Sequence, residues 1–247
     1  MALLGWAAGV LSSDRGAPWE IQEEWSPFAV LLPASSGAVF RLYYQPMADD
    51  PIQWLGDRLR ILDQTKLPKE EVFIDLRDHR DVVEAIRELK VRGAPAIGVA
   101  AAYAVALEAG RIEAPDRGAY VARLTDVARA LAASRPTAVN LFNALNRMTE
   151  AAKGDTVERI RESLVEEARR IHLDELQASE RLSRLGAELI GDGCSVLTHC
   201  NAGRLATAGY GTALGVIRAA REQGKKVSVF ATETRPLLQG TTSRMRH

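Results

Sequence analysis

From Ala94 to Leu107 the chain runs for more than three helical turns without a charged side chain. A helix that is apolar on every side has no face to offer water, so other elements must surround it. The stretch is too short to cross a bilayer, which takes about 20 apolar residues, and Met1–Leu11 is shorter still. It therefore predicts a buried central helix in a globular fold, and 247 residues are enough to wrap one. Gly93 punctuates its start, and Pro95 suits the first turn, where a missing N–H costs nothing.

Charge and cysteine usage narrow the setting. Lys+Arg and Asp+Glu number 32 each, so the formal net charge is zero. That removes the electrostatic basis for nonspecific binding to nucleic acid or an anionic membrane, and neither is an expected partner. No Lys or Arg precedes Arg15, so the N-terminus lacks the basic start of a secretory signal. Cys194 and Cys200 fit neither a CxxC pair, a four-ligand zinc site nor a disulfide scaffold. A reducing cytoplasm is the expected compartment.

The chain changes texture along its length. Residues 1–48 hold three of the four Trp together with Pro18, Pro27, Pro33 and Pro46, and read as an irregular extension with one short strand at Val39–Tyr44. Residues 49–154 read as a helical domain with a small β part. Arg58–Gln64 alternates as a strand into a turn at Lys66-Leu67-Pro68, and Asp81–Lys90 carries a helical stripe. Further helices are predicted over Arg117–Ala133 and from Pro136-Thr137 onward. Residues 155–190 read as one long connecting helix, opened by a capping box with Asp155 as N-cap and Glu158 three residues on. Its length, about 50 Å at 1.5 Å per residue, suits a spacer between domains. In 191–247, Ser195–His199 reads as a strand, Leu205–Gln223 as a helix capped by Gly224, and Val227–Phe230 as a second strand. This βαβ unit begins a parallel, Rossmann-like sheet. The expected class is α/β, a mainly helical N-terminal domain joined by a long helix to an incomplete parallel α/β domain.

Ligands of open α/β sheets bind outside the carboxyl ends of the strands. Thr198-His199-Cys200-Asn201 sits at that end of the first predicted strand, and Glu233-Thr234-Arg235 just past the second. Position alone leaves two readings of Cys200 open. It is a functional thiol near a helix N-terminus, or a small residue buried in the turn. Arg92-Gly93-Ala94 and Arg135 each precede a helix start, where unpaired N–H groups favour an anion; capping or surface pairing is the plainer reading of each. Gly209–Gly215 has the wrong spacing for a dinucleotide fingerprint and falls inside the predicted helix, so its glycines read as helix–sheet packing. His79 and His172 read as surface residues in charged surroundings. His199 and Cys200, adjacent on a strand, point to opposite faces.

Val91–Gly98 (VRGAPAIG), Arg135–Leu141 (RPTAVNL), Leu197–Gly203 (LTHCNAG), Ala206–Gly215 (ATAGYGTALG) and Glu233–Gly240 (ETRPLLQG) come in the order found in methylthioribose-1-phosphate isomerases, and closely resemble them. The resemblance runs from about Ile52 to Gly240. It implies Cys200 as a catalytic group, and Arg92, Gly93, Ala94, Arg135 and Gln239 as contacts to a small phosphorylated sugar. It implies an aldose–ketose isomerisation of 5-methylthioribose 1-phosphate in methionine salvage, run by a thiol and a carboxylic acid without metal or organic cofactor, in a homodimer. That family's catalytic Asp, and an Asn-Lys substrate contact, lie beyond the point where this chain ends. Thr241–His247 departs from the family pattern, so the chain reads as C-terminally truncated. Residues 1–46 read as an upstream extension, with Met47 as the natural start. Two relatives of the same fold are the alternatives: a ribose-1,5-bisphosphate isomerase, and a noncatalytic regulatory subunit of the translation-initiation guanine-nucleotide exchange factor.

Overall fold

The computed structural model describes residues 50–207 and 209–232. The extension at 1–48, its strand at 39–44 and the Glu233-Thr234-Arg235 segment lie outside these. Three short strands open the described chain: β1 (Ile52–Trp54), β2 (Leu59–Leu62) and β3 (Phe73–Leu76). They pair antiparallel in the order β1-β2-β3, with Ile61 opposite both Ile52 and Ile74. Across this register Arg60 Nε meets Asp75 Oδ1 at 2.7 Å, an opposite-charge pair on the polar face.

Helices follow: α1 (His79–Arg87), α2 (Ala94–Arg111), α3 (Arg117–Ala132), α4 (Val139–Ala151) and α5 (Val157–Glu188). α2 is the charge-free helix, and α1, α3, α4, α5 and the β1–β2 edge all pack on it. Ala96 through Leu107 are buried without a break. α4 approaches closely because residue 98 is glycine; a methyl there would lie 2.9 Å from the Asn140 carbonyl oxygen. α5 is packed along its length. Ile160, Leu164, Ala168 and Ile171 join the core around α2, while Ala187 joins a second cluster with Ala219, Ala220 and Val227. No helix among the described residues is long and apolar enough to cross a membrane.

Beyond α5 come β4 (Ser195–Thr198), a single turn α6 (Arg204–Thr207), α7 (Ala213–Glu222) and β5 (Ser228–Ala231). β4 and β5 pair in parallel, Ser195 opposite Ser228. The chain is thus α/β, with helices and two small sheets. The last turn of α5 is held from outside its own helix: Lys225 Nζ donates to the Ala187 and Ile190 carbonyls at 2.7 and 2.9 Å. A cation there satisfies orphan carbonyls and complements the helix dipole. Lys225→Met is expected to cost about 1–3 kcal/mol of unfolding free energy; an unchanged urea midpoint would show that this cap is not holding the fold.

Several local expectations are corrected. The helix predicted over Leu205–Gln223 is two helices, because Gly211 adopts φ +101 and Thr212 and Leu214 both donate to the Ala202 carbonyl. Its glycines face α5 rather than the sheet: methyls at Gly209 and Gly215 would overlap Leu176 and Ser183. The N-cap of α5 is Thr156, whose hydroxyl accepts from Arg159 N–H at 3.2 Å, not Asp155. A true capping box stands instead at Asp78 and Asp81, opening α1 two residues early. α4 begins at Val139, since Arg135–Ala138 first closes a turn through Ala138 N–H and the Arg135 carbonyl. His79 and His172 are half-buried rather than surface residues. His79 Nδ1 lies 3.1 Å from Glu108 Oε1, and His172 Nδ1 lies 3.0 Å from the Tyr103 hydroxyl.

Candidate functional site

The site is assembled at the entrance to α2. After α1 the chain turns back through Leu89, at φ +61, and buries Val91 and then Arg92, which is 6% exposed. Gly93 follows at φ +102, a conformation open to glycine. Its carbonyl accepts from Ile97 N–H at 3.0 Å, the first bond of α2. No side chain caps this helix start, and Ala94 is exposed. A methyl at Gly93 would overlap the backbone of Ala206 in α6, so the two segments touch main chain to main chain.

One buried amide ties the same segments together. Gln64, 4% exposed at the end of β2, donates from Nε2 to the Leu205 carbonyl at 2.9 Å. Its Oε1 accepts from Arg92 Nε at 3.2 Å, and its backbone N–H donates to the Lys90 carbonyl at 3.0 Å. Burial pushes the Arg92 guanidinium below its ordinary value, and the electrostatic influence of Cys200 opposes that shift.

Cys200 is exposed, and it stands at φ +68 between β4 and α6. A non-glycine residue in the left-handed region marks a backbone held there by its surroundings. The segment that follows Cys200 is itself held. Thr212 N–H donates to Ala202 O at 2.9 Å, Gly211 N–H donates to Thr207 Oγ1 at 3.1 Å, and a methyl on Gly211 would come within 3.2 Å of Gly203. Exposure removes the reading of Cys200 as a small residue buried in its turn. α6 is a single turn, so the helix-dipole argument for this thiol also falls. His199 leaves in another direction, its Nδ1 2.5 Å from Thr232 Oγ1 at the end of β5.

Arg135, half-buried, occupies the first position of the turn before α4, whose start also lacks a side-chain cap. The Gly98–Asn140 contact sets this start beside that of α2. A cleft of about 240 Å³ lies between α2, α4 and α5, lined among others by Pro95, Asn140, Asn143, Arg147 and Glu175. Burial pushes the Glu175 carboxyl up. The fold thus brings Arg92, Gly93, Ala94 and the Cys200 turn together, and sets the Arg135 turn at a neighbouring helix start. Gln239 lies outside the described residues. Gln64 is unmarked in the sequence, where it reads as the polar end of a strand; only its burial reveals it. Among the described residues no group of three or more His, Cys, Asp or Glu could hold a metal ion.

Comparison with known proteins identifies the family. The family model described as "Initiation factor 2 subunit family" matches residues 90–246. A methylthioribose-1-phosphate isomerase of Dehalococcoides mccartyi is 57% identical over 190 residues, covering 76% of this chain and 57% of that protein. One from Trichlorobacter lovleyi is 54% identical over 192 residues, covering 76% and 56%. Among solved structures, 5-methylthioribose 1-phosphate isomerase from Pyrococcus horikoshii OT3 superposes with a TM-score of 0.74 at 35% identity, covering 80% of this chain and 56% of that one. The translation initiation factor eIF-2B subunit delta from A. fulgidus gives 0.70 at 46% identity, covering 78% and 57%. The chain spans little more than half the length of the curated relatives it matches.

Proposed function

The chain belongs to the initiation factor 2 subunit family, and on that premise we propose that it carries the isomerase site of this family. The reaction is the conversion of 5-methylthioribose 1-phosphate to 5-methylthioribulose 1-phosphate in methionine salvage. The observation that carries this reading is the main-chain contact of Gly93 with Ala206, which joins the segment of the buried Arg92 to the helical turn that follows the exposed Cys200.

The substrate's chemistry fits such a site. A phosphate on C1 prevents simple ring opening to a free aldehyde, so the enzyme must open the ring and manage charge on oxygen. Hydrogen moves from C2 to C1, the C2 hydroxyl becomes a carbonyl, and the ring oxygen gains a proton. No outside oxidant is required. Arg92, Arg135 and the uncapped starts of α2 and α4 are donors suited to the phosphate, with Gly93 and Ala94 at the first of these starts; Gln239 is a substrate contact by the family resemblance alone. Cys200 serves the proton movements at the sugar. No metal or organic cofactor enters this scheme. We read residues 49–154 as the helical domain, 155–190 as its connecting helix and 191–247 as the start of a Rossmann-like domain, in a cytoplasmic homodimer.

The A. fulgidus neighbour, named as an initiation-factor subunit, favours a second, noncatalytic reading. A binding subunit has no use for an exposed thiol held in a left-handed backbone beside a buried arginine, which is why the isomerase reading is preferred. Proton NMR of the purified chain with methylthioribose 1-phosphate tests the choice. Appearance of ketose resonances is the expected result. The absence of both turnover and substrate line broadening would overturn the isomerase reading and favour the noncatalytic one.

A further inference from the structure

A buried amide that satisfies two chain segments at once is a costly thing to keep unless its geometry matters, since each unmet hydrogen bond in the interior costs about 1–3 kcal/mol. Gln64 is such a group. It is 4% exposed, and it joins Arg92 to the Leu205 carbonyl, 141 residues away in sequence from Gln64 itself. Its backbone N–H is also tied, to Lys90, so the amide is presented from a fixed strand end. On one side it meets the guanidinium through Nε, which settles how the planar fork is turned. On the other it grips the middle of α6, the single turn that ends the Cys200 loop.

We propose that Gln64 is a positioning residue for the reaction: its amide clamps Arg92 and α6 together, and so sets where the guanidinium lies relative to the Cys200 turn. This rests on the isomerase reading only for its catalytic consequence. The clamp itself is a statement about Arg92 and Cys200, and it is testable without substrate. An aliphatic residue of similar length at position 64 would fill the same space and hold neither partner. The Arg92 fork would then lose the acceptor that orients its Nε, and α6 would lose its tether to the end of β2.

The readout is the second-order rate of alkylation of Cys200 by iodoacetamide, measured on the full chain in a Cys194→Ser background so that one thiol reacts. The rate reads the surroundings of the thiol, which Arg92 and α6 set. Gln64→Met is expected to slow alkylation at least threefold, and to lower kcat/KM for methylthioribose 1-phosphate about tenfold. Because the effect runs through Arg92, it should vanish in an Arg92→Met background, where Gln64→Met changes the rate no further. Equal alkylation rates with and without Gln64→Met would overturn the clamp, as would a slowing that persists without Arg92. If Gln64→Met does not fold, Gln64→Asn takes its place in the same cycle, since it stays polar and neutral but is one methylene too short to hold both partners. The same slowing is then expected, and the same two results would overturn the clamp. A chain that shows the alkylation coupling but no turnover would sink the isomerase reading and leave the clamp standing.

Discussion

Gly93→Ala is expected to lower the unfolding free energy by about 2–6 kcal/mol, and to disorganise the site with it. Two costs add. Holding an L-residue at φ +102 costs about 1–3 kcal/mol. Forcing a methyl into the packed contact with α6 costs about 1–3 kcal/mol more. The atoms in its way are the Cα and carbonyl oxygen of Ala206 as well as its Cβ, and main chain cannot rotate aside as a long side chain would. The contact gives instead by moving α6 away from α2, which carries the Cys200 turn with it. Gly110→Ala is the control. It lies in the last turns of the same helix, with nothing within 4 Å of the new methyl, and should stabilise by about 0.5–1 kcal/mol through helix propensity. Urea titrations of the two variants against the parent decide the matter. A Gly93→Ala midpoint equal to the parent's would mean that α2 and α6 do not meet main chain to main chain.

Much of this fold is legible because the signals are long. The charge-free run at Ala94–Leu107 can only be an enclosed helix, and the apolar period from Ile160 to Leu189 is sustained enough to place α5 within a residue or two. β1, of three residues, and β3, of four, pass unread, whereas β4 and β5, equally short, are marked by the glycine-bounded turns and the helix between them. The break between α6 and α7 is hidden for a different reason. Gly209-Tyr210-Gly211 is tolerable inside a helix and decisive only in context, and the context is α5, where Leu176 and Ser183 leave no room for a side chain at Gly209 or Gly215. Tertiary packing chooses the break, and no local pattern announces it. The cap of α5 moves by one position because Asp155 and Thr156 are both good caps. Propensity even ranks Asp first; the structure uses Thr156, whose hydroxyl accepts from Arg159 N–H.

The site divides along the same line. Arg92, Gly93 and Ala94 stand out as a basic group before a proline-marked helix start, and Cys200 as a residue at a strand end. Both are one-dimensional facts. That the two segments meet is a fact about Gly93 and Ala206, and about an amide at position 64 that the sequence shows only as the polar end of an alternating strand. The expected helix behind Cys200 would supply a dipole. Its reduction to one turn in α6 removes that dipole, and burial holds the Arg92 guanidinium below its ordinary value, with the electrostatic influence of Cys200 opposing the shift. Residues that act through others carry no signature of their own in the sequence.

Removing the thiol separates chemistry from structure. Cys200→Ala should lower turnover of methylthioribose 1-phosphate by about 10²–10⁴-fold, the usual scale for loss of a positioned proton-transfer group. It should leave stability within about 0.5 kcal/mol of the parent, as expected at an exposed position. Both residues bear the φ +68 backbone at similar cost, since each has a Cβ and neither branches there, so strain does not blur the comparison. Cys200→Ser sharpens it. The hydroxyl keeps the size and a hydrogen-bond donor but ionises far less readily than a thiol, and should recover only a small part of the rate if proton transfer is the role. Full recovery by serine would point to simple hydrogen bonding. Cys194→Ser, which alters an exposed thiol before β4, should turn over as the parent does. If Cys200→Ala kept full activity, the thiol would be a bystander, and Arg92 would be holding the substrate for some other group.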